Sequence, residues 1–355
     1  MSNLRIGIVG LPNVGKSTLF NALLKKQVAL SANYPFATIE PNVGVVEVPD
    51  PRLQILADLV KAEKIVPALV EFFDIAGLVA GASEGAGLGN KFLSHIREVA
   101  VIVQVVREFE DGDITHVLNR VNPKEDKEII DTELILADLQ TLNKQKEPRG
   151  VKDTFLQTQW EVVNILIKNL NEGKSARLVE LTDDQKEAIL PLNLLTMKPV
   201  IYLLNTSEDR LSDEAFPDWL VGEQTLRVSA KIESDLASFS EEDAKELLVS
   251  YGLEQSGLDR LIKAAYTKLG LISFLTAGAK EVRAWTIPKG IDAQHAAGEI
   301  HTDFVKHFIK ADVSDYIDFV RVGGWVKARD QGLVRSEGKT YVMKDGDVVE
   351  FKVGV

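Results

Sequence analysis

At 355 residues the chain is long enough for two or three domains, each with its own core. Hydrophobic residues at 45% and charged residues at 26% exclude wholesale disorder, and the absence of cysteine excludes disulfides, thiolate nucleophiles and cysteine-held zinc or iron–sulfur centres. A net charge of −12 excludes a protein that coats nucleic acid over its whole surface, although the deficit is uneven: from Thr276 onward 12 basic residues balance 12 acidic ones.

Any metal must be held by oxygen or imidazole, which suits Mg²⁺ sharing phosphate oxygens. The first residues, Met1-Ser2-Asn3-Leu4-Arg5, run straight into an apolar stretch and leave no room for a signal peptide. No apolar run approaches the ~18–20 residues that cross a bilayer. A cytoplasmic protein with no membrane partner is expected.

The first element is a strand, Ile6-Gly7-Ile8-Val9, and a helix-like run begins at Leu19. Between them stands Gly10-Leu11-Pro12-Asn13-Val14-Gly15-Lys16-Ser17-Thr18, the pattern G-x-x-x-x-G-K-[ST] in the strand–loop–helix context that lets it hold a phosphate. Backbone N–H groups from Asn13 to Thr18 turn onto the anion and the helix N-terminus adds partial positive charge. Lys16 is assigned to the β- and γ-phosphates and Ser17 to Mg²⁺.

The proline- and asparagine-rich stretch from Ser31 to Asn42 reads as a loop, the first switch of such a nucleotidase, with Thr38 completing the Mg²⁺ shell. A strand over Val43–Val48 precedes an amphipathic helix carrying Leu53, Leu56 and Val60. The strand Ala68–Phe73 then runs into Asp74-Ile75-Ala76-Gly77-Leu78, a D-x-x-G second switch. There Asp74 would hold Mg²⁺, through water, and the Gly77 N–H would meet the γ-phosphate. The glycine-rich run Gly81–Asn90 does not spell G-x-G-x-x-G and follows no strand, so it reads as a loop responsive to the γ-phosphate and not as a dinucleotide site.

Ala100–Val106 reads as a buried parallel strand, followed by a loop from Phe109 to His116. Between about Asn122 and Leu195 helical spacing takes over, in Ile135, Leu139 and Leu142 and again in Leu156, Trp160, Val163, Ile167 and Leu170, which predicts an antiparallel helical hairpin. The α/β pattern resumes with a strand over Lys198–Leu204 ending in Asn205-Thr206-Ser207-Glu208, then Thr225–Val228 ending in Ser229-Ala230-Lys231. Asn205, Thr206, Glu208, Ser229 and Ala230 are the candidate base-side residues. Past Thr276, strands are predicted over Glu281–Ile287, Lys339–Met343 and Val348–Val353. One short helix bearing Phe304 with Phe308 and Val305 with Ile309 lies between them, making a small α+β domain.

Two departures narrow the chemistry. GTPases of this plan read guanine with N-K-x-D, whereas here the lysine is missing and the carboxylate, Glu208, is one methylene longer. Adenine presents an N6 amine that backbone groups around Asn205 and Thr206 can take, so the residues favour ATP but leave GTP open. Second, Leu78 stands where a water-orienting glutamine follows D-x-x-G. His116 is the candidate to orient the water, against the alternative of a solvent-facing loop histidine; His95 reads as structural.

Taken together, Gly10–Thr18, Pro35–Ile39, Asp74–Val79, Gly85–Asn90, Asn205–Glu208 and Glu281–Thr286 resemble the Obg-related ATPases of the YchF type over essentially the whole chain. The resemblance implies an α/β P-loop NTPase fold with an OBG-type G domain at 1–121 and 196–275, an inserted helical domain at 122–195, and a C-terminal ubiquitin-like (TGS, β-grasp) domain at 276–355. It implies a Mg²⁺-dependent ATPase that uses GTP less well and binds ribosomes, with RNA a further partner through the helical and TGS domains, and a role in translation or stress. It matches Leu78 and His116 to the family's hydrophobic residue and catalytic-loop histidine. Ala37 and Glu108 stand where cysteine is frequent in the family, which argues against thiol-based regulation. The expected protein is a monomeric ATPase that cleaves the γ-phosphate by direct attack of water. A true GTPase, or a nucleotide-gated binding protein with incidental hydrolysis, are the rival readings.

Overall fold

The computed structural model describes residues 5–30, 42–75, 87–110, 120–150, 153–213 and 215–354. Thr38, Gly77, Leu78 and His116 lie outside these residues. The described chain divides into two compact units, one built from the sequence up to Val46 and from Glu71 to Leu261, the other from Glu47–Val70 and Ile262 onward.

The first unit is laid on a six-stranded sheet. Strand β1 (Arg5–Val9) leads through the glycine loop into α1 (Lys16–Leu30) and β2 (Val43–Glu47). The chain then leaves for the second unit through α2 (Pro51–Val60) and β3 (Ile65–Val66) and returns as β4 (Leu69–Asp74), α3 (Gly87–Glu98) and β5 (Val101–Arg107). The helical segment contributes α4 (Pro123–Leu142), α5 (Thr154–Asn171) and α6 (Asp183–Ile189). After it come β6 (Val200–Asn205), β7 (Thr225–Val228), α7 (Ala230–Leu236), α8 (Glu241–Ser250) and α9 (Gly257–Lys268).

The sheet order is β2-β4-β1-β5-β6-β7, and β1, β4, β5, β6 and β7 run parallel through their shared pairings. Every residue of β5 and β6 is buried, which is why both read as mainly apolar runs, with Gln104, Arg107 and Asn205 as the buried polar exceptions. Parallel strands send all their C-terminal ends to one edge of the sheet, where ligands of such folds sit. The loops after β1, β5, β6 and β7 therefore converge.

In the helical segment, Asn122 and Asp153 cap α4 and α5 by accepting from backbone N–H groups of the first turn. The expected pair is joined by a third helix, α6, opened by a capping box between Thr182 and Gln185. Leu142, Val162, Val163, Leu166 and Leu170 form its core. Asp138, fully buried, fastens the segment's end by accepting from the Leu195 and Thr196 N–H groups and the Thr196 hydroxyl at 2.6–2.8 Å. Burial pushes its carboxyl pKa up against those bonds.

The second unit is a mixed six-stranded sheet. It holds β8 (Leu271–Ala277), β9 (Val282–Pro288), α10 (Ala293–Ala297), α11 (Thr302–His307), β10 (Phe308–Asp315), α12 (Tyr316–Val322), α13 (Trp325–Asp330), β11 (Arg335–Glu337) and β12 (Asp347–Val353). The order is β11-β10-β12-β8-β9-β3. Hairpin β8–β9 is antiparallel, β12 returns parallel to β8, and β10 pairs antiparallel with both β12 and β11. This is the β-grasp arrangement, with β3, donated from the excursion between β2 and β4, added parallel to β9 at Ile65↔Val282 and Val66↔Arg283. Phe274 stacks on Trp285 with ring centroids 6.1 Å apart and meets Phe351 edge-on at 5.5 Å.

Three expectations for this unit are corrected. The single short helix expected between the strands is four, α10 to α13, with β10 and β11 among them. Phe308 and Ile309 are not on the short helix: α11 ends at His307, and the pair opens β10 with one side chain 5% and the other 60% exposed, the alternation of a strand. Lys339–Met343 is not a strand either. Its backbone is spent on the turn before α10, through Ala293 N–H to the Tyr341 carbonyl and Met343 N–H to the Ile291 carbonyl, with one isolated bridge at Asp292↔Val342.

Candidate functional site

The loop between β1 and α1 needs two residues in the left-handed region, Asn13 at φ 62° and Gly15 at φ 100°. Gly15 is further constrained by space, since a Cβ there would stand 2.2 Å from Asn205 Nδ2. The loop encloses its own lysine: Lys16 is 7% exposed and Nζ donates to the Leu11 carbonyl at 2.6 Å. Burial lowers its pKa to about 8, partly opposed by the Asp74 carboxylate. Asp74, at the end of β4, is in turn pushed up by burial and drawn down by Lys16. Its Oδ1 is buried with no hydrogen-bond partner among the described residues.

Asn205 ties the loop to the far side of the sheet. Nδ2 donates to the Val14 carbonyl at 2.9 Å and Oδ1 accepts from the Ala230 N–H at 2.9 Å. Its own carbonyl accepts from the Glu108 N–H, and the Thr206 N–H donates to the Val228 carbonyl, both at 2.8 Å. The Asn205 carbonyl and the Thr206 N–H are thus already bonded between strands, so an N6 amine would have to share the Asn205 carbonyl or use a neighbouring one. The Thr206 hydroxyl is buried with no hydrogen-bond partner among the described residues.

These elements border a cleft of about 960 Å³. Asn13, Gly15, Lys16, Ser17, Thr18, Asn205, Thr206, Glu208, Ser229 and Ala230 all line it, and Val14 lies behind the wall. Sequence reasoning missed Phe109, Glu110, Lys231, Ser234 and Asp235, which line it too. Phe109 is backed by Arg107, whose guanidinium carbon stands 4.4 Å from the ring centroid. Neither residue belongs to a motif, so only three-dimensional proximity reveals them.

Glu208 is engaged at both oxygens. Lys231 Nζ donates to Oε1 at 2.9 Å and Tyr251 Oη donates to Oε2 at 2.8 Å, and these bonds hold its carboxyl below the usual range. His95 is exposed on α3 and takes no part in the cleft. Among the described residues no three His, Cys, Asp or Glu side chains gather to hold a metal unaided.

A parallel sheet with a phosphate loop after its first strand, a buried loop lysine and an asparagine brace at a neighbouring strand end defines a P-loop nucleotide-binding protein of the GTPase type. A family model described as a 50S ribosome-binding GTPase matches residues 5–136, and one named YchF-GTPase_C, described as a protein of unknown function, matches residues 271–354. The chain is 48% identical to the ribosome-binding ATPase YchF of Bacillus subtilis, over 99% of this chain and all of the relative. It is 46% identical to the protein of the same name from Escherichia coli O157:H7, over 99% of each. The structure of the Schizosaccharomyces pombe YchF GTPase superposes with a TM-score of 0.88 at 38% identity, covering 99% of this chain and 98% of that one. The chain belongs to the YchF family. No described helix is long and apolar enough to cross a membrane.

Proposed function

We propose that the chain is a Mg²⁺-dependent, cytoplasmic ATPase that signals its nucleotide state to the ribosome. The observation that carries this reading is one cleft with a buried phosphate-loop lysine at one end and, at the other, a carboxylate already held by Lys231 and Tyr251. Guanine recognition of the N-K-x-D type needs a carboxylate aimed at N1–H and N2–H; each oxygen of Glu208 already accepts one bond, from Lys231 and from Tyr251, and these bonds turn it toward the protein. The bacterial relatives carry the word ATPase and the fission-yeast structure the word GTPase. The engaged Glu208 favours the first.

In this reading Lys16 gives up the Leu11 carbonyl for the β- and γ-phosphates, and the N–H groups from Asn13 to Thr18 receive the phosphate oxygens. The donor set suits Mg²⁺: Asp74 offers a buried oxygen without a partner among the described residues, and Ser17 an exposed hydroxyl in the cleft. Bound there, the ion neutralises charge on the β- and γ-phosphates. Thr38 as a further ligand, Gly77 as a γ-phosphate donor and His116 as the group that orients water in place of a glutamine are proposed from sequence.

The helical segment at 122–195 and the β-grasp domain at 276–355 are proposed as the surfaces that meet the ribosome, or RNA, from a monomer. The charge-balanced C-terminal part suits this better than the acidic remainder. The experiment is binding and turnover of ATP and GTP with Mg²⁺, with and without ribosomes. ATP turnover that Lys16→Ala abolishes is expected, with ribosome association changing between nucleotide states. Faster turnover of GTP than of ATP, or unchanged kinetics in Lys16→Ala, overturns the reading.

A further inference from the structure

We infer that Glu108 is a positioning residue for the base end of the cleft, an inference that rests on the reading of the cleft as a nucleotide site. Glu108 directly follows β5 and precedes Phe109, which is part of the cleft wall, but does not line the cleft itself. Its side chain is 8% exposed and spans two guanidinium groups. Oε1 accepts from Arg210 Nη2 at 3.2 Å and Oε2 from Arg227 Nε at 3.3 Å.

The two arginines sit where the cleft is built. Arg210 closes the short turn that begins at Glu208, and Arg227 lies on β7, two residues before Ser229. Arg227 is 3% exposed, with Nη1 donating to the Asp213 carbonyl at 2.7 Å and its guanidinium carbon 4.8 Å from the Phe216 ring centroid. Arg210 also reaches Asp213 Oδ2 at 3.3 Å. One carboxylate therefore joins the residue after β5 to the turn that follows β6 and to β7.

Removing the carboxylate leaves the buried Arg227 charge uncompensated, with the Asp213 carbonyl and the Phe216 ring beside it, which destabilises the packing at this end of the cleft. The phosphate end is held by other bonds, namely Asn205 to Val14 and the turn of α1. Loss of the Glu108 carboxylate should therefore loosen the grip on the base and leave the grip on phosphate intact.

The test compares ATP with inorganic tripolyphosphate, which has the anion but no base, on the full chain and on Glu108→Gln and Glu108→Ala. We expect ATP to bind about tenfold more weakly to both variants, KM to rise in step, and kcat and tripolyphosphate binding to stay within about twofold of the parent. Should Glu108→Ala fail to fold, the near-isosteric Glu108→Gln carries the same comparison. Arg210→Ala should weaken ATP less, and non-additively with Glu108→Ala. Equal weakening of ATP and tripolyphosphate would mean a general loss of structure, and unchanged ATP binding no role at all; either overturns the inference. A parent that binds tripolyphosphate but not ATP removes the reading of the cleft, and this inference with it.

Discussion

The Asn205 side chain donates to the Val14 carbonyl at 2.9 Å, so the end of β6 holds the phosphate loop at its midpoint. With Asn205 3% exposed, Asn205→Ala leaves the Val14 carbonyl and the Ala230 N–H buried and unpaired. The expected cost is about 1–3 kcal/mol of stability, read from urea unfolding, with ATP affinity falling at least about tenfold.

Gly15→Ala combines a backbone at φ 100° with a Cβ 2.2 Å from Asn205 Nδ2. ATP binding, followed by calorimetry, should be lost. Adding Asn205→Ala removes the collision but not the backbone strain, so the double variant should be less impaired than the sum of the two single changes.

The Lys16 pKa of about 8 gives the site a pH dependence with a definite sign. A polyphosphate favours the charged lysine, so ATP affinity should be flat below about pH 7 and decline as pH rises past about 8. Binding at pH 8.5 should take up a proton, measured as calorimetric heats in two buffers of different ionisation enthalpy. Stability moves the other way. The unfolded chain keeps its lysine proton up to the ordinary 10.5 and the ligand-free folded chain releases it near 8, so Lys16 contributes rising stability across that window.

Asp74→Asn separates function from stability. Burial already disfavours the Asp74 charge, so the ligand-free variant should melt no lower than the parent. Mg²⁺-dependent ATP turnover should fall about a hundredfold or more, with the Mg²⁺ titration shifted to higher concentration.

Tyr251→Phe frees Glu208 Oε2. Because the Glu208 side chain is 37% exposed, the effect should be modest. Competition of GTP against ATP should shift about two- to fivefold toward GTP, and Lys231→Ala should act in the same direction.

The phosphate end of the cleft is legible in the sequence because its parts are contiguous: strand, Gly10 to Thr18, helix. The base end is legible only in part: Asn205, Thr206, Glu208, Ser229 and Ala230 follow strand ends and line the cleft, whereas the tyrosine that Glu208 meets lies 43 residues further on and Phe109 reaches the wall only through the parallel register of β5 with β6. The errors in the C-terminal unit have the same origin. Phe304 and Phe308 satisfy helical spacing by coincidence, and strand alternation at Phe308–Ile309 emerges only through pairing with β12. Tyr341 and Met343 have strand-like composition, yet their backbone bonds go to the loop before α10. Tertiary partners decided these cases over local pattern.

The two-residue strand β3 has a practical consequence. A fragment cut at the start of β8 would uncover the β9 edge at Val282 and Arg283 and lose the Arg52 to Asp345 ion pair at 2.8 Å. Bare strand edges template self-association. Anyone isolating the C-terminal sheet for binding work would therefore do better to graft residues 47–70 back onto it than to trim it to its contiguous sequence.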